Sequence, residues 1–359
     1  MFDFLNTWLA NGGFWVTIPL IILGCAALIK GADFLVDGAS ALAKKYGVSD
    51  IVIGLTVVAF GTSMPEFVVN MVAVGQGSTE IAITNVLGSN IINIFVILGF
   101  TALIYPISSQ KSTRRFDIPF SLLAALLVLL FAVYNSPSWL QIEHIFNMNI
   151  ADPTLSDLGS IQMGQGNGGF ISGVGGSILL IFFLIFLWHN FKGIGSAPQT
   201  ESNEEYKPMS AKRALALIIG GLVGLVVGGE VIVKSATSIA QSLGVSDAII
   251  GLTVVALGTS LPELATSCMA AFKKNCDIAL GNVIGSNLFN IFFILGTSAC
   301  VKALPGYHGL ETDAMMAALG SVLVMLFVYL TKKHEIKRWH GAILLLTYAA
   351  YLAYRIITL

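Results

Sequence analysis

Two glutamates carry the strongest chemical signal in the 359-residue chain. Glu66 closes the segment Gly61-Thr62-Ser63-Met64-Pro65-Glu66, and Glu263 closes Gly258-Thr259-Ser260-Leu261-Pro262-Glu263; both segments interrupt long apolar runs. A carboxylate in the middle of a bilayer costs at least ~2.5–3.5 kcal/mol on insertion scales, which makes each a functional-site candidate. Two of them converging on one point repel unless a cation or a proton lies between them. Gly and Pro are poor in a helix interior, so both segments predict a kinked or broken helix with free carbonyls near Ala59, Thr62, Ala256 and Thr259. The hydroxyls of Thr62, Ser63, Thr259 and Ser260 stand beside them. A second element, Gly-Ser-Asn-x-x-Asn, supplies Ser89, Asn90 and Asn93, and again Ser286, Asn287 and Asn290. Ser89 and Asn93 share a helix face, as do Ser286 and Asn290, with Asn85 and Asn282 a turn earlier. Amides also glue membrane helices together. Asn85, Asn90, Asn282 and Asn287 therefore read equally as packing or binding, whereas Ser89, Asn93, Ser286 and Asn290 read as ligands. All these donors are oxygens, which suits hard cations: one Ca²⁺, which takes roughly six to eight oxygens, or several Na⁺. The bland alternative is a pair of protonated glutamates that merely bond to backbone; it leaves the grouping of hydroxyls, broken backbone and carboxylates unexplained.

The elements that position these residues follow from composition. Hydrophobic residues make up 55% of the chain and Asp, Glu, Lys and Arg only 11%, against ~25% charged in a soluble domain. Mean hydropathy is +0.83. So few charges cannot cover a water-facing surface, which excludes a soluble globular enzyme. A net charge of −1 gives no reason to expect a nucleic-acid partner. The chain reads as an all-α integral membrane protein whose partner is the lipid bilayer. Runs of ~20 apolar residues, the length needed to span, fall near 15–43, 48–74, 79–104, 117–135, 171–191, 213–242, 245–272, 277–301, 312–331 and 339–357. That gives ten transmembrane helices. With the N-terminus outside, the cytoplasmic connections hold 15 Lys and Arg residues and the outer ones only Lys302 and Arg355. The positive-inside rule then sets an N-out/C-out topology. The first run is expected to remain as a span, since it continues into Gly31–Asp37 without a small-residue cleavage pattern. Residues 136–170 are expected to form an outer loop with one short helix.

The chain repeats itself. Residues 47–100 and 244–297 align at a constant offset of 197, with about 30 of 54 positions identical, including the Gly, Pro, Glu, Ser and Asn positions. The organisation is a first five-helix half (1–191, with its repeat at 47–100), a polar cytoplasmic linker (192–212) and a second five-helix half (213–359, with its repeat at 244–297). Five spans separate equivalent helices, so the copies cross the membrane in opposite senses. Gln76 and Gly77 follow the first Gly-Thr-Ser helix where Lys273 and Lys274 follow the second, as an inverted pair requires. Inverted repeats with matched helix breaks at mid-span are the pattern of alternating-access transporters, because one half can adopt the conformation of the other.

Paired GTSxPE and GSNxxN segments on inverted repeats resemble the α-repeats of the Ca²⁺/cation antiporter superfamily, specifically its sodium/calcium exchanger branch. The resemblance covers the ten-span layout, with a motif-bearing core of about 108 residues. It implies a secondary active antiporter that exchanges Na⁺ for Ca²⁺, with these ions as substrates and no cofactor. By the same resemblance Glu66 and Glu263 would bind Ca²⁺ with the carbonyls of Thr62 and Thr259. Na⁺ sites would draw on Ala59, Thr62, Ser63, Ser89 and Glu66, and on Ala256, Thr259, Ser260, Ser286 and Glu263; Asn93 and Asn290 would complete the middle. Several exchangers of this family, potassium-dependent ones among them, have Asp where this chain has Asn290, which argues against K⁺ co-transport. The first spans of each half, rich in Gly and Ala, would slide past the core. Asp33 and Asp37 lie on one of them and Glu230 and Lys234 at the matching positions of the other, as vestibule charges or as a gate.

A glutamate pair can also hold a proton, so H⁺-coupled Ca²⁺ exchange, or another cation antiport, is the alternative. A channel fits less well, since channels gain symmetry by assembling subunits. An intramembrane enzyme is not expected: His144, His189, His308, His334 and His340 lie outside the repeat cores and no HExxH motif occurs. Cys25, Cys268, Cys276 and Cys300 show no metal spacing. The short 192–212 linker fits a minimal plasma-membrane (inner-membrane) protein of prokaryotic type, expected to work as a monomer.

Overall fold

The computed structural model of the protein describes residues 3–134, 170–192, 209–243, 256–307 and 309–358. The chain opens with a long helix α1 (Asp3–Tyr46). Helix α2 (Asp50–Thr62) and helix α3 (Met64–Gly75) follow as a pair bent by 45°. Then come α4 (Thr79–Ile104), α5 (Asp117–Tyr134), α6 (Gly173–Lys192) and α7 (Ala211–Ser242). The second half continues with α8 (Ala256–Thr259), α9 (Leu261–Phe272), α10 (Cys276–Val301), α11 (Leu310–Leu330) and α12 (Arg338–Thr358). Among the described residues eight helices are long and apolar enough to cross a membrane, and α2 with α3 makes a ninth. The expected span 245–272 starts outside the described residues, and α8 and α9 are its described part. The 136–170 loop and the body of the linker also lie outside them, apart from Phe170.

Burial grades the helices from core to lipid. Buried residues make up 94% of the most apolar stretch of α10 and 78% of that of α4, against 22% for α1, 28% for α7 and 17% for α12. The two helices that carry the Gly-Ser-Asn elements are thus the centre of the bundle. Helix α10 packs on α2, α9 lies against α10, and α3 lies against α4. Each of the central helices widens into a π turn, at Asn93–Ile97 in α4 and at Phe289–Leu295 in α10. Such bulges are frequent at functional sites.

On the outside, α1 and α7 run antiparallel with their backbones in contact. A Cβ added at Gly31 would lie 2.7 Å from the Gly221 carbonyl oxygen, and one at Gly228 would lie 2.7 Å from that of Gly24. Only glycine permits this approach, as in other small-residue membrane interfaces.

Among the described residues, the helices are joined by two short antiparallel strand pairs that the all-α reading did not include. Strand β1 (Ile107–Ser108) pairs with β4 (Glu335–Ile336), and β2 (Phe170–Ile171) pairs with β3 (Leu304–Pro305). Two-residue pairings of residues this far apart in sequence leave no periodicity to read. β3 lies 197 residues after β1, so the internal repeat extends beyond residue 100 into this connection.

Candidate functional site

The site is built on two helix breaks. Ser63, at φ −86° and ψ 5°, separates α2 from α3, and Ser260, at φ −89° and ψ 5°, separates α8 from α9. Each break places its proline, Pro65 or Pro262, in the first turn of the following helix. There the missing N–H is no loss, because first-turn amides have no intrahelical acceptor. The same geometry sets Glu66 and Glu263 in the first turns of α3 and α9, where the partial positive charge of a helix N-terminus favours a carboxylate.

Both carboxylates are buried, Glu66 at 0% and Glu263 at 1% exposure, and they interact electrostatically across the repeat boundary. The Ser63 hydroxyl donates to Glu263 Oε1 at 3.1 Å, with the Thr62 hydroxyl nearby. The hydroxyls of Thr259 and Ser89 stand beside Glu66. Each glutamate thus sits beside a threonine of the opposite repeat. Their main chains are held alike: Asn85 Nδ2 donates to the Glu66 carbonyl at 3.3 Å and to Asn70 Oδ1 at 2.7 Å, and Asn282 Nδ2 donates to the Glu263 carbonyl at 3.2 Å and to the Ser267 hydroxyl at 2.9 Å. In this structure Asn85 and Asn282 therefore brace the helix that carries each glutamate. Asn70 and Ser267 were missed by sequence reasoning. Their signal was available, since they are matched polar residues one turn after each glutamate.

Among the described residues, 12 buried side-chain polar atoms have no hydrogen-bond partner, and all are oxygens. Eight belong to the predicted residues: both carboxylate oxygens of Glu66, Glu263 Oε2, Asn93 Oδ1, Asn290 Oδ1, Thr259 Oγ1, Ser260 Oγ and Ser286 Oγ. Buried polar groups are normally paired, and an unpaired one costs about 1–3 kcal/mol, more when charged. Leaving eight of them within the repeated motifs that carry the two carboxylates is unfavourable for folding alone. A hard cation suits such a donor set, since it takes only oxygen ligands.

One expectation differs in detail. The Ala59 carbonyl is not free: it accepts from the Ser63 amide at 3.0 Å and from the Thr62 hydroxyl at 3.3 Å. The helix holds through Thr62 and breaks one residue later, so the carbonyl denied its amide partner by Pro65 is that of Gly61, four residues before the proline. The Thr62 hydroxyl shares its single proton between the Ala59 carbonyl and Asn282 Oδ1 at 3.1 Å. Ala256 opens α8.

A cavity of about 520 Å³ lies beside the breaks, lined by Pro65, Thr259 and Pro262 and by Glu230, Lys234 and Ser238 of α7. Lys234 pairs with Glu230 at 3.4 Å. At the other end of α1 and α7, Lys273 binds Asp33 at 2.6 Å and Asp37 at 2.7 Å, while Asn275 donates to Asp50 at 2.7 Å and to Ser40 at 3.1 Å. These contacts tie α1 and the start of α2 to the α9–α10 corner.

The sodium/calcium exchanger protein family model matches residues 16–192 and 213–357. A putative antiporter, CaxA, of Alkalimonas amylolytica is 35% identical over 342 residues, covering 94% of this chain and 97% of that protein. The sodium/calcium exchanger MaX1 of Methanosarcina acetivorans is 34% identical over 357 residues, with 94% and 97% covered. A solved structure of the sodium-calcium exchanger NCX_Mj, soaked with 10 mM Na⁺ and 10 mM Sr²⁺, is similar at a TM-score of 0.74 and 32% identity, covering 94% of this chain and 97% of that one. On this footing the chain belongs to the sodium/calcium exchanger protein family, whose matched members are membrane exchangers and not enzymes.

Proposed function

We propose that this protein exchanges Na⁺ for Ca²⁺ across a plasma (inner) membrane by alternating access, as a monomer of ten spans with both termini outside. Glu66 and Glu263 share the Ca²⁺, and Thr62, Thr259, Ser63, Ser260, Ser89, Ser286, Asn93, Asn290 and Ala256 supply the remaining oxygens for Ca²⁺ or Na⁺; the Ala59 carbonyl joins them only when the Thr62 hydroxyl releases it. The observation that carries this reading is the set of eight unpartnered buried oxygens in the repeated motifs, three on the two carboxylates at the matched helix breaks and five on Thr259, Ser260, Ser286, Asn93 and Asn290. Two glutamates balance one divalent or two monovalent cations. A site that Ca²⁺ and Na⁺ must occupy in turn couples their fluxes, and the mirrored halves let it open to either side.

The test is ⁴⁵Ca²⁺ uptake into proteoliposomes with Na⁺, H⁺ and K⁺ gradients imposed separately. Uptake is expected to follow an outward Na⁺ gradient and to ignore the other two. Uptake that follows a pH gradient and ignores Na⁺ would establish the proton-coupled alternative instead.

In this topology the Lys273–Asp33–Asp37 contact closes the cytoplasmic side while the cavity opens outward. The sequence does not repeat this triad in the other half: Gln76 stands where Lys273 does, and Glu230 and Lys234 stand where Asp33 and Asp37 do. The latch thus favours the outward-open state. Its groups are partly exposed, so it contributes on the order of 0.2–1 kcal/mol. Lys273→Gln is expected to lower the ratio of outward-open to inward-open protein accordingly, by up to roughly fivefold. The readout is the rate at which Ser238→Cys, in a background without the four native cysteines, is labelled by an impermeant maleimide. An unchanged rate contradicts the latch.

A further inference from the structure

The four asparagines of the Gly-Ser-Asn elements form a closed lattice across the repeat boundary. Asn90 Nδ2 donates to the main-chain carbonyl of Asn287 at 3.2 Å, and Asn287 Nδ2 donates to that of Asn90 at 3.4 Å. Asn290 Nδ2 then donates to Asn90 Oδ1 at 3.0 Å, and Asn93 Nδ2 to Asn287 Oδ1 at 3.0 Å. All four side chains are at most 3% exposed. The only amide atoms left over are Asn93 Oδ1 and Asn290 Oδ1, both without a partner.

Hydrogen-bond polarity runs through this lattice in one direction. A main-chain carbonyl can only accept. The end of the Asn90 amide that faces the Asn287 carbonyl must therefore be its NH₂, which turns its oxygen towards Asn290. Asn290 must then donate, and its own oxygen is the end that remains. The mirrored chain of contacts fixes Asn93 in the same way. Turning either outer amide round would set oxygen against oxygen at one end and offer NH₂ to a cation at the other.

We infer that Asn90 and Asn287 are positioning residues of the exchange site, each locking the amide of the opposite repeat's second asparagine so that its oxygen, not its NH₂, is presented to the ion. Asn90 acts through Asn290, and Asn287 acts through Asn93. This rests on the proposed role of Asn93 and Asn290 as ligands. It goes beyond that role by assigning a function to two residues that need not touch the ion.

The crossed wiring gives a test that a merely structural role would not pass. The Ca²⁺ KM of Na⁺-driven uptake is measured in proteoliposomes for Asn90→Ala, Asn287→Ala and Asn290→Ala and for two double variants. Each single variant is expected to raise the KM at least tenfold. Adding Asn90→Ala to Asn290→Ala is expected to change it by less than about twofold, because the lock then has nothing to hold. Adding Asn287→Ala to Asn290→Ala is expected to multiply the two effects, because Asn287 acts on Asn93. Asn90→Ser, too short to reach both partners yet still polar, is carried in parallel and is expected to give the same pattern. Equal multiplication in both doubles, or an Asn90 variant with a normal KM beside a defective Asn290→Ala, overturns the positioning role and leaves Asn290 as a ligand. A normal KM in Asn290→Ala overturns the ligand assignment and the lock with it.

Discussion

Glu66→Gln and Glu263→Gln are each expected to reduce Ca²⁺ exchange by at least a hundredfold while leaving the protein folded. The amide keeps the volume of the carboxyl group and removes its charge, so packing is preserved and cation binding is not. Both glutamates are fully buried on matched helices, and neither Glu66 oxygen has a hydrogen-bond partner. Carrying such a group into the membrane costs at least ~2.5–3.5 kcal/mol on insertion scales. The ion-free variants should therefore melt no lower than the parent. Ca²⁺ stabilises the parent by mass action, about 2.7 kcal/mol when its concentration is a hundred times Kd. Thermal melts with and without Ca²⁺ separate the two effects: the variants should keep the ion-free melting temperature and lose the Ca²⁺-dependent rise. A variant that retains the rise together with exchange contradicts the assignment.

Gly31→Ala and Gly220→Ala are expected to act in opposite directions, although both add one methyl group to a membrane helix of the same pair. At Gly31 the new Cβ would sit 2.7 Å from the Gly221 carbonyl oxygen and from the Leu225 amide, closer than such atoms can approach. At Gly220 it would meet nothing within 4 Å. Overpacking of this kind costs about 1–3 kcal/mol, whereas exchanging Gly for Ala at an open helical position gains up to ~1 kcal/mol of helix propensity. If α1 and α7 slide as one backbone-to-backbone pair against the core, separating them also removes the sliding surface. Exchange should fall at least tenfold in Gly31→Ala and stay near the parent level in Gly220→Ala, read by the same ⁴⁵Ca²⁺ uptake. Equal activities would show that close contact between the two helices is not needed for transport.

The parts of this structure that were legible in sequence are those fixed by local chemistry. Apolar runs of the length of a bilayer gave the helices near their observed positions, because lipid contact depends on composition alone. The broken helices at Ser63 and Ser260 were legible because Pro65 and Pro262 cannot sit inside a helix. Even so, the effect of Pro65 falls on the Gly61 carbonyl and not on that of Ala59. The candidate oxygens were legible because the offset of 197 kept Glu, Ser and Asn in register.

What sequence left open depends on which residues meet across the bundle. Asn90 and Asn287 read equally as packing or binding residues, and only their mutual contacts with each other's carbonyls resolve a third role. Asp33 and Asp37 were visible as charges, but Lys273, some 240 positions away, gave no sign of being their partner. The π turns at Asn93 and Phe289 have no sequence signature comparable to a proline. Nor do the two-residue strand pairs, which depend on connections meeting from opposite halves.

The claim on which the mechanism depends is that a single divalent ion is held by both mirrored carboxylates. The most direct measurement is anomalous diffraction from crystals of this protein soaked in Ca²⁺ and collected at long wavelength. One strong peak is expected, within the roughly 2.3–2.6 Å of Ca²⁺–oxygen contacts from carboxylate oxygens of Glu66 and Glu263 together. A peak bound by one glutamate alone, or one placed elsewhere in the bundle, would contradict the shared site.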